Sequence, residues 1–69
     1  MKNPLPKVGD LIKIHCSAEP ECNGLYVIVG NLYKETDHFL KAYWFKENRM
    51  VELYDDWFHY HTFSWTLIS

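Results

Sequence analysis

The acidic and histidine residues that most often carry acid–base chemistry gather near the end of this 69-residue chain. Asp55 and Asp56 stand just before His59 and His61, which is the composition of an acid–base site. Adjacent carboxylates on a strand point to opposite faces, however, and neither a nucleophile elbow nor a phosphate-cradling glycine loop accompanies them. We therefore interpret Asp55-Asp56 as the end of a strand and the cap of the following turn, and we expect a protein that is not an enzyme.

The two cysteines suggest metal binding as a second kind of chemistry. Cys16 and Cys22 complete a Cys₂His₂ set with His59 and His61 if the first loop meets the C-terminal turn. Structural zinc normally uses Cys-x₂₋₄-Cys and His-x₃₋₅-His spacing, and neither pair fits it. We therefore predict no metal and no other cofactor. A disulfide across the intervening residues stays geometrically open, whereas two reduced thiols beside a turn suit a cytosolic chain.

A cation alternates with two rings in the middle of the chain. On a strand, Lys41, Tyr43 and Phe45 project from one face. Grooves that bind single-stranded nucleic acid have this composition, because bases stack on exposed rings while cations neutralise phosphate. Lys46 and Arg49 follow closely, so the predicted RNA- or DNA-binding site is Lys41, Tyr43, Phe45, Lys46 and Arg49. The alternative is a solvated edge whose lysines discourage aggregation between sheets.

Aromatic residues crowd the C-terminal part of the chain. Six rings occupy half of twelve consecutive positions: Tyr54, Trp57, Phe58, Tyr60, Phe63 and Trp65. This window holds no lysine or arginine, although a base-stacking surface needs cations nearby. A small core also needs large side chains, and each buried ring covers about 150–250 Å². We therefore expect core or subunit-interface packing here, with base stacking as the alternative.

Length and composition bound the class of protein. The hydrophobic fraction of 48% predicts a globular chain, and its length predicts a single domain spanning residues 1–69. The formal net charge of −2 excludes a histone-like binder whose whole surface attracts phosphate. The longest apolar run, Leu25 to Val29, is too short for a membrane span. Because Asn3 and Pro4 follow Lys2 where an apolar signal segment belongs, we expect a cytoplasmic protein.

Period-two alternation predicts five short strands. They are Leu11–Cys16, Leu25–Val29, Phe39–Lys46, Met50–Tyr54 and Trp65–Ile68. Gly30-Asn31 indicates a bulge or a turn, and 34–38 a polar loop. The stretch 57–64 lacks a clean period and is compatible with a helical turn. A helix across Leu40 to Tyr54 is the alternative, but it scatters the rings of residues 43–45 around three sides of a cylinder.

The same alternation assigns the faces of the strands. It places Ile12, Ile14 and Cys16 on one face of the first strand, and Leu40, Ala42 and Trp44 on one face of the third. The second strand is apolar on both faces, which predicts a central strand covered on both sides. Five such strands joined by polar turns predict a small antiparallel barrel, because curling hides the two edges of an open sheet.

Two segments carry a resemblance to a known group. The stretch Lys7-Val8-Gly9-Asp10-Leu11-Ile12-Lys13-Ile14 resembles the opening strand of SH3-like barrels, and Gly24-Leu25-Tyr26-Val27-Ile28-Val29-Gly30 resembles their second strand. Over nearly the whole chain, the pattern is similar to small SH3-like, Sm-like proteins of marine phage (cyanophage-like) and ocean metagenomic sequences. The resemblance implies a strongly bent five-stranded antiparallel sheet, a homo-oligomeric ring joined edge to edge, and RNA or DNA binding.

The chain also departs from the Sm pattern. It opens with a proline-containing coil where Sm proteins open with a helix, and Asn48-Arg49-Met50 supplies an arginine without the glycine that follows it in Sm proteins. From the resemblance we therefore take the expected fold and the ring assembly, and we transfer no binding residue. A protein-interaction module, such as a phage factor that modulates a host protein in the host cell cytoplasm, is the second hypothesis. A purely structural ring subunit is the third.

Overall fold

A computed structural model describes residues 5–69 and shows an all-β chain, as predicted. The five strands are β1 (Leu11–Cys16), β2 (Gly24–Lys34), β3 (Asp37–Trp44), β4 (Arg49–Tyr54) and β5 (Phe63–Leu67). Two short 3₁₀ turns, η1 (Pro20–Cys22) and η2 (Asp55–His59), lie in the connections. Neither of these helical segments, nor anything else in residues 5–69, has the length and apolar character of a helix that crosses a bilayer.

The strands form one antiparallel sheet in the order β4-β3-β2-β1-β5. Every pairing is antiparallel, so the predicted number and direction of strands are confirmed. The sheet is not closed: within the described residues, β4 pairs with β3 alone and β5 with β1 alone. The sheet therefore ends in two strand edges, one at β4 and one at β5.

The core lies against one face of this sheet. Nine hydrophobic side chains are buried there: Ile12, Ile14, Tyr26, Ile28, Leu40, Ala42, Trp44, Leu53 and Phe58. The buried members of β1 and β3 are those that period-two alternation assigns to a single face, and Cys16 at the end of β1 is half-buried. The sequence pattern therefore gives the inward face of these strands correctly.

The prediction that β2 is covered on both faces is wrong. Tyr26 and Ile28 are buried, but Leu25 is 41% exposed and Val29 is 45% exposed. The physical reason is that the described chain forms a single sheet with one core layer, so the opposite face of β2 has nothing packed over it. Apolar residues on both faces of a strand do not require a second layer, since much of any protein surface is apolar.

A β-bulge extends β2 beyond its predicted end. Ile28 lies opposite Ala42, whereas Gly30 lies opposite Lys41, so Val29 is the extra residue. Of the two predictions for Gly30-Asn31, the bulge is confirmed and the turn is wrong. Because one residue is inserted, even-numbered residues of β2 face the core before the bulge and odd-numbered residues share that face after it. The strand then runs to Lys34, and β3 begins at Asp37, so the predicted loop 34–38 is reduced to residues 35–36.

The turn η2 supplies the last part of the core. Phe58 is 1% exposed, and its ring meets that of Phe63 edge to face, with centroids 4.9 Å apart. Phe63 and Trp65 pack against the buried cluster, as expected for part of the aromatic segment. Trp57 and Tyr60 remain 38% and 56% exposed. The C-terminal rings are therefore divided between the core and the surface.

We expect Phe58→Ala to lower the free energy of unfolding by about 3–5 kcal/mol, because a fully buried ring is lost. Phe58→Leu keeps most of the volume and should cost about 1 kcal/mol. Tyr60→Ala, in the same segment but exposed, should change stability by less than about 0.5 kcal/mol. Urea denaturation measures all three. Equal losses for Phe58→Ala and Tyr60→Ala would contradict the assignment of Phe58 to the core.

Candidate nucleic-acid interface

The side of the sheet that faces away from the core is here called the outer face. By strand alternation and register, its members include Leu11, Lys13, Leu25, Val27, Leu32, Lys34, Asp37, Phe39, Lys41, Tyr43, Met50, Glu52 and Tyr54. Tyr43 stands opposite Val27 on β2 and opposite Met50 on β4, so it occupies the middle of three strands. A ring in this position is held by neighbours on both sides.

The structure brings three of the five predicted site residues together. Lys41 and Tyr43 lie two positions apart on β3, and Phe45 follows the last residue of that strand. The backbone N–H of Phe45 donates to the carbonyl oxygen of Leu25 at 3.1 Å, which continues the line of the strand. The rings of Tyr43 and Phe45 meet edge to face, with centroids 5.1 Å apart. These three residues form one continuous strip of the surface.

The other two predicted residues lie elsewhere. The guanidinium carbon of Arg49 stands 5.7 Å from the ring centroid of Trp44, which belongs to the core face. The Nζ of Lys46 donates to the carbonyl oxygen of Glu21 in η1 at 3.2 Å. Arg49 therefore lies on the opposite side of the β3–β4 hairpin, and Lys46 points toward the first loop.

Two lysines outside the predicted site join Lys41 on the outer face. Lys13 lies opposite the exposed Leu25, and Lys34 holds an ion pair with Glu52 at 3.1 Å. Within the described residues, Lys41 faces Glu52 across the strands but forms no ion pair of its own. Only the register shows that Lys13, Lys34 and Lys41 share a face.

A hydrogen bond fixes the acidic residue Asp37 at one end of the outer face. The hydroxyl of Tyr54 donates to Oδ1 of Asp37 at 2.9 Å, and its ring stacks on Phe39 with centroids 5.0 Å apart. The hydrogen bond to Asp37 raises the pKa of Tyr54 to about 12. The Asp37 carboxylate is thereby bound within the sheet.

Met50 is a surface residue that the sequence pattern did not single out. It lies beside Tyr43 on the edge strand and is 48% exposed. A shallow depression of about 570 Å³ wraps around this edge and is lined by Lys41, Arg49, Met50, Val51 and Glu52. The signal that could have found Met50 is its register opposite Tyr43, which depends on the length of the hairpin turn.

The residues that the sequence offered for an acid–base site or a metal site lie at the end of β1, in η1, and in and after η2. β4 ends at Tyr54 as predicted, and Asp55 and Asp56 fall in the first turn of η2 without a side-chain capping bond. Asp55 lies 3.5 Å from Nδ1 of His38. Cys16 and Cys22 are free thiols. In residues 5–69, no three His, Cys, Asp or Glu side chains gather as metal ligands.

Searches of protein-family models, of curated proteins and of solved structures find no significant match to this chain. The geometry of the outer face is therefore the basis on which its function is inferred. Its distinguishing features are exposed rings beside lysines.

Stability should fall at high pH because two tyrosines titrate late in the folded chain. Tyr54 has a pKa of about 12, and burial raises the pKa of Tyr26, whose hydroxyl donates to the carbonyl oxygen of Cys22. A raised tyrosine pKa stabilises the fold below about pH 10 and loses that effect as the pH rises toward about 12.

Urea unfolding at about pH 9 and about pH 12 tests this linkage. Tyr54→Phe should lose less stability between the two values than the native chain does, since it has no proton to release. Identical losses for Tyr54→Phe and the native chain would show that the bond to Asp37 does not set this titration.

Proposed function

We propose that this protein is a non-enzymatic, SH3-like (Sm-like) β-barrel that binds single-stranded RNA or DNA on its outer face and assembles into a homo-oligomeric ring. The observation that carries the proposal is the strip formed by Lys41, Tyr43 and Phe45 on one exposed side of the sheet. Five antiparallel strands in the order β4-β3-β2-β1-β5 are compatible with such a barrel.

The rings of the strip suit bases. Phe45 is 49% exposed and Tyr43 is half-buried, so both combine a fixed position with accessible ring surface. Stacking of a base on an aromatic side chain contributes about 1–3 kcal/mol and tolerates any sequence. The edge-to-face contact between the two rings fixes their mutual angle, so that a strand of nucleic acid meets a preformed surface.

The lysines of the outer face suit phosphate. Lys13, Lys34 and Lys41 stand on three neighbouring strands around the rings. Glu52 neutralises Lys34 in the free protein, so that phosphate has to compete for that lysine. With a formal net charge of −2 for the whole chain, binding has to be confined to this face and weak for a single copy.

Assembly is supported by the two free edges of the sheet. β4 and β5 each carry one unpaired side, and pairing β4 of one copy with β5 of the next is a head-to-tail contact. Such contacts give a ring when the rotation closes. Met50 and Leu67 expose apolar surface on these two strands. A ring repeats the weak patch around an axis and raises the overall affinity.

A protein-interaction module is the second candidate, and a specific observation favours it. Leu25, Phe45 and Met50 are each more than 40% exposed on or beside the outer face, with half-buried Tyr43 among them. Contiguous exposed apolar surface marks sites that bind other proteins. In this case the chain would be a factor that modulates a host protein, and the edge strands β4 and β5 would not have to pair with other copies of the chain.

Binding of a labelled single-stranded oligonucleotide should weaken with salt. If three lysines neutralise three phosphates, the affinity falls about 20-fold between about 50 and about 200 mM salt. Fluorescence anisotropy measures both conditions. A stoichiometric protein partner with no oligonucleotide binding at low salt would replace the first candidate with the second.

Two equal charge reversals locate the face that binds. Lys41→Glu should weaken oligonucleotide binding about tenfold or more, because it places a carboxylate beside Tyr43. Arg49→Glu makes the same change on the opposite side of the hairpin and should weaken binding less than about threefold. Phe45→Ala should cost about tenfold by removing one stacking surface. A larger loss for Arg49→Glu than for Lys41→Glu would move the site to the core side of the hairpin.

The mass in solution tests the ring. Light scattering should give a multiple of the 8.3 kDa chain mass. Leu67→Lys adds a charge at the β5 edge and should shift the mass toward that of one chain. Leu25→Lys adds the same charge on the central strand β2 and should leave the mass unchanged. A native chain that is monomeric at all concentrations would remove the ring and leave the outer-face site to stand alone.

A further inference from the structure

A second cleft, of about 290 Å³, lies between the first loop and the C-terminal turn. One wall is formed by Cys16, Glu19 and Cys22 around η1, and the other by the rings of Trp57, Tyr60 and Phe63. Its volume is at the lower end of the range for pockets that hold small molecules, about 300–1,000 Å³. The cleft shares no residue with the outer face.

The backbone aligns the three rings on one wall. The N–H of Tyr60 donates to the carbonyl oxygen of Trp57 at 3.2 Å, and the N–H of Phe63 donates to that of Tyr60 at 3.2 Å. Tyr60 has extended backbone, so these bonds close two successive turns and do not continue the 3₁₀ helix, which ends at His59. The centroids of Trp57 and Phe63 are 6.5 Å apart, at a tilt of 44°. The rings of Trp57 and Phe63 are therefore neighbours, and Tyr60 lines the same cleft.

The opposite wall carries one carboxylate. The Sγ of Cys22 donates to Oε2 of Glu19 at 3.6 Å. Partial burial, together with Glu19, raises the pKa of the Cys22 thiol, which stays neutral near pH 7. The backbone N–H of Cys16 donates to Oδ1 of Asn23 at 2.6 Å, and this bond holds the end of β1 against the loop. Among the lining residues that the structure describes, Glu19 alone is of a charged type.

The segments on either side of the cleft are acidic. The first loop, 17–24, contains Glu19 and Glu21, and the segment 55–64 contains Asp55 and Asp56, while neither contains a lysine or an arginine. Lys46 reaches this region from the turn between β3 and β4, but it binds the carbonyl oxygen of Glu21 and is not part of the lining. An anion would be repelled here, whereas a cation is favoured.

We propose that this cleft binds a small organic cation with a trimethylammonium head, of the choline type. The negative faces of aromatic rings attract such a head, and Trp is the strongest of them. Its methyl groups suit an apolar wall, and it has no N–H that would need an acceptor. Glu19 supplies the opposite charge from across the cleft. A neutral ligand of the same shape gains only the apolar part of this interaction.

Titration with choline, followed by NMR through the indole signal of Trp57, tests the proposal. The matched probe is 3,3-dimethylbutan-1-ol, which has the shape of choline without its charge. Choline should bind about tenfold more tightly than this alcohol, since the cation–π and carboxylate contributions are absent from the alcohol. Equal affinity for the two probes, or no binding of choline, would overturn the proposal.

Variants assign the binding to the cleft. Trp57→Ala should weaken choline binding about tenfold, and Trp57→Phe, which keeps a ring, should weaken it about threefold. Glu19→Gln should weaken it about threefold, whereas Glu21→Gln, in the same loop but outside the lining, should leave it unchanged. Trp57 is partly exposed, so its variants should keep the native spectrum.

Three outcomes would contradict this assignment. Loss of binding in Glu21→Gln equal to that in Glu19→Gln would reduce the effect to general electrostatic attraction. Native affinity in Trp57→Ala would exclude the rings. A peptide carrying trimethyl-lysine that binds at least tenfold more tightly than choline would replace the small-molecule occupant with a modified protein.

Discussion

One layer of buried side chains against a single sheet holds this fold together. A chain of this size buries only about 60% of the surface that its unfolded form exposes, so each buried group matters. The pairs Ile12 with Ile14 and Tyr26 with Ile28 supply the centre of the layer, and Phe58 covers it from η2. At one end, the ring of Trp44 stacks on that of Tyr26 with centroids 5.5 Å apart, while Arg49 lies over it. The positions of the outer-face strip and of the aromatic cleft both follow from this layer.

The two candidate surfaces arise from the layer in different ways. The outer face consists of the strand residues that alternate with the core residues. Because Leu40, Ala42 and Trp44 point into the core, Lys41 and Tyr43 point outward. The cleft lies outside the strands, at η2. There Phe58 is buried in the core, while Trp57 and Tyr60 lie beside the first loop. The outer face combines lysines with rings, and the cleft combines rings with the carboxylate of Glu19. The chain thus offers surfaces of opposite electrostatic character on separate parts of its fold.

Sequence patterns predict most of the sheet and only part of the sites. The bounds of β1 are predicted to the residue, because alternation and flanking turn residues agree there. The extent of β2 is not, since a bulge and a turn share the composition Gly-Asn. The side on which Arg49 lies is not predicted, because the hairpin turn begins at Phe45 and includes Asn48 at φ 53°, which fixes a register that composition does not reveal. Two successive turns bring Trp57, Tyr60 and Phe63 to one cleft, an arrangement that neither the strand period nor the α-helix period predicts.

The arrangement of the sheet also sets the order in which the chain can fold. β2, β3 and β4 follow one another as hairpins, so their contacts are local, whereas β1 pairs with β5 across most of the sequence, for example Ile12 with Leu67. Long-range pairing requires closure of a large loop before its contacts compensate the lost entropy. We therefore expect the meander of β2 to β4 to form first and β5 to dock on β1 late. An otherwise small protein should on this account fold in milliseconds to seconds, as two-state proteins with mostly non-local strand pairing do.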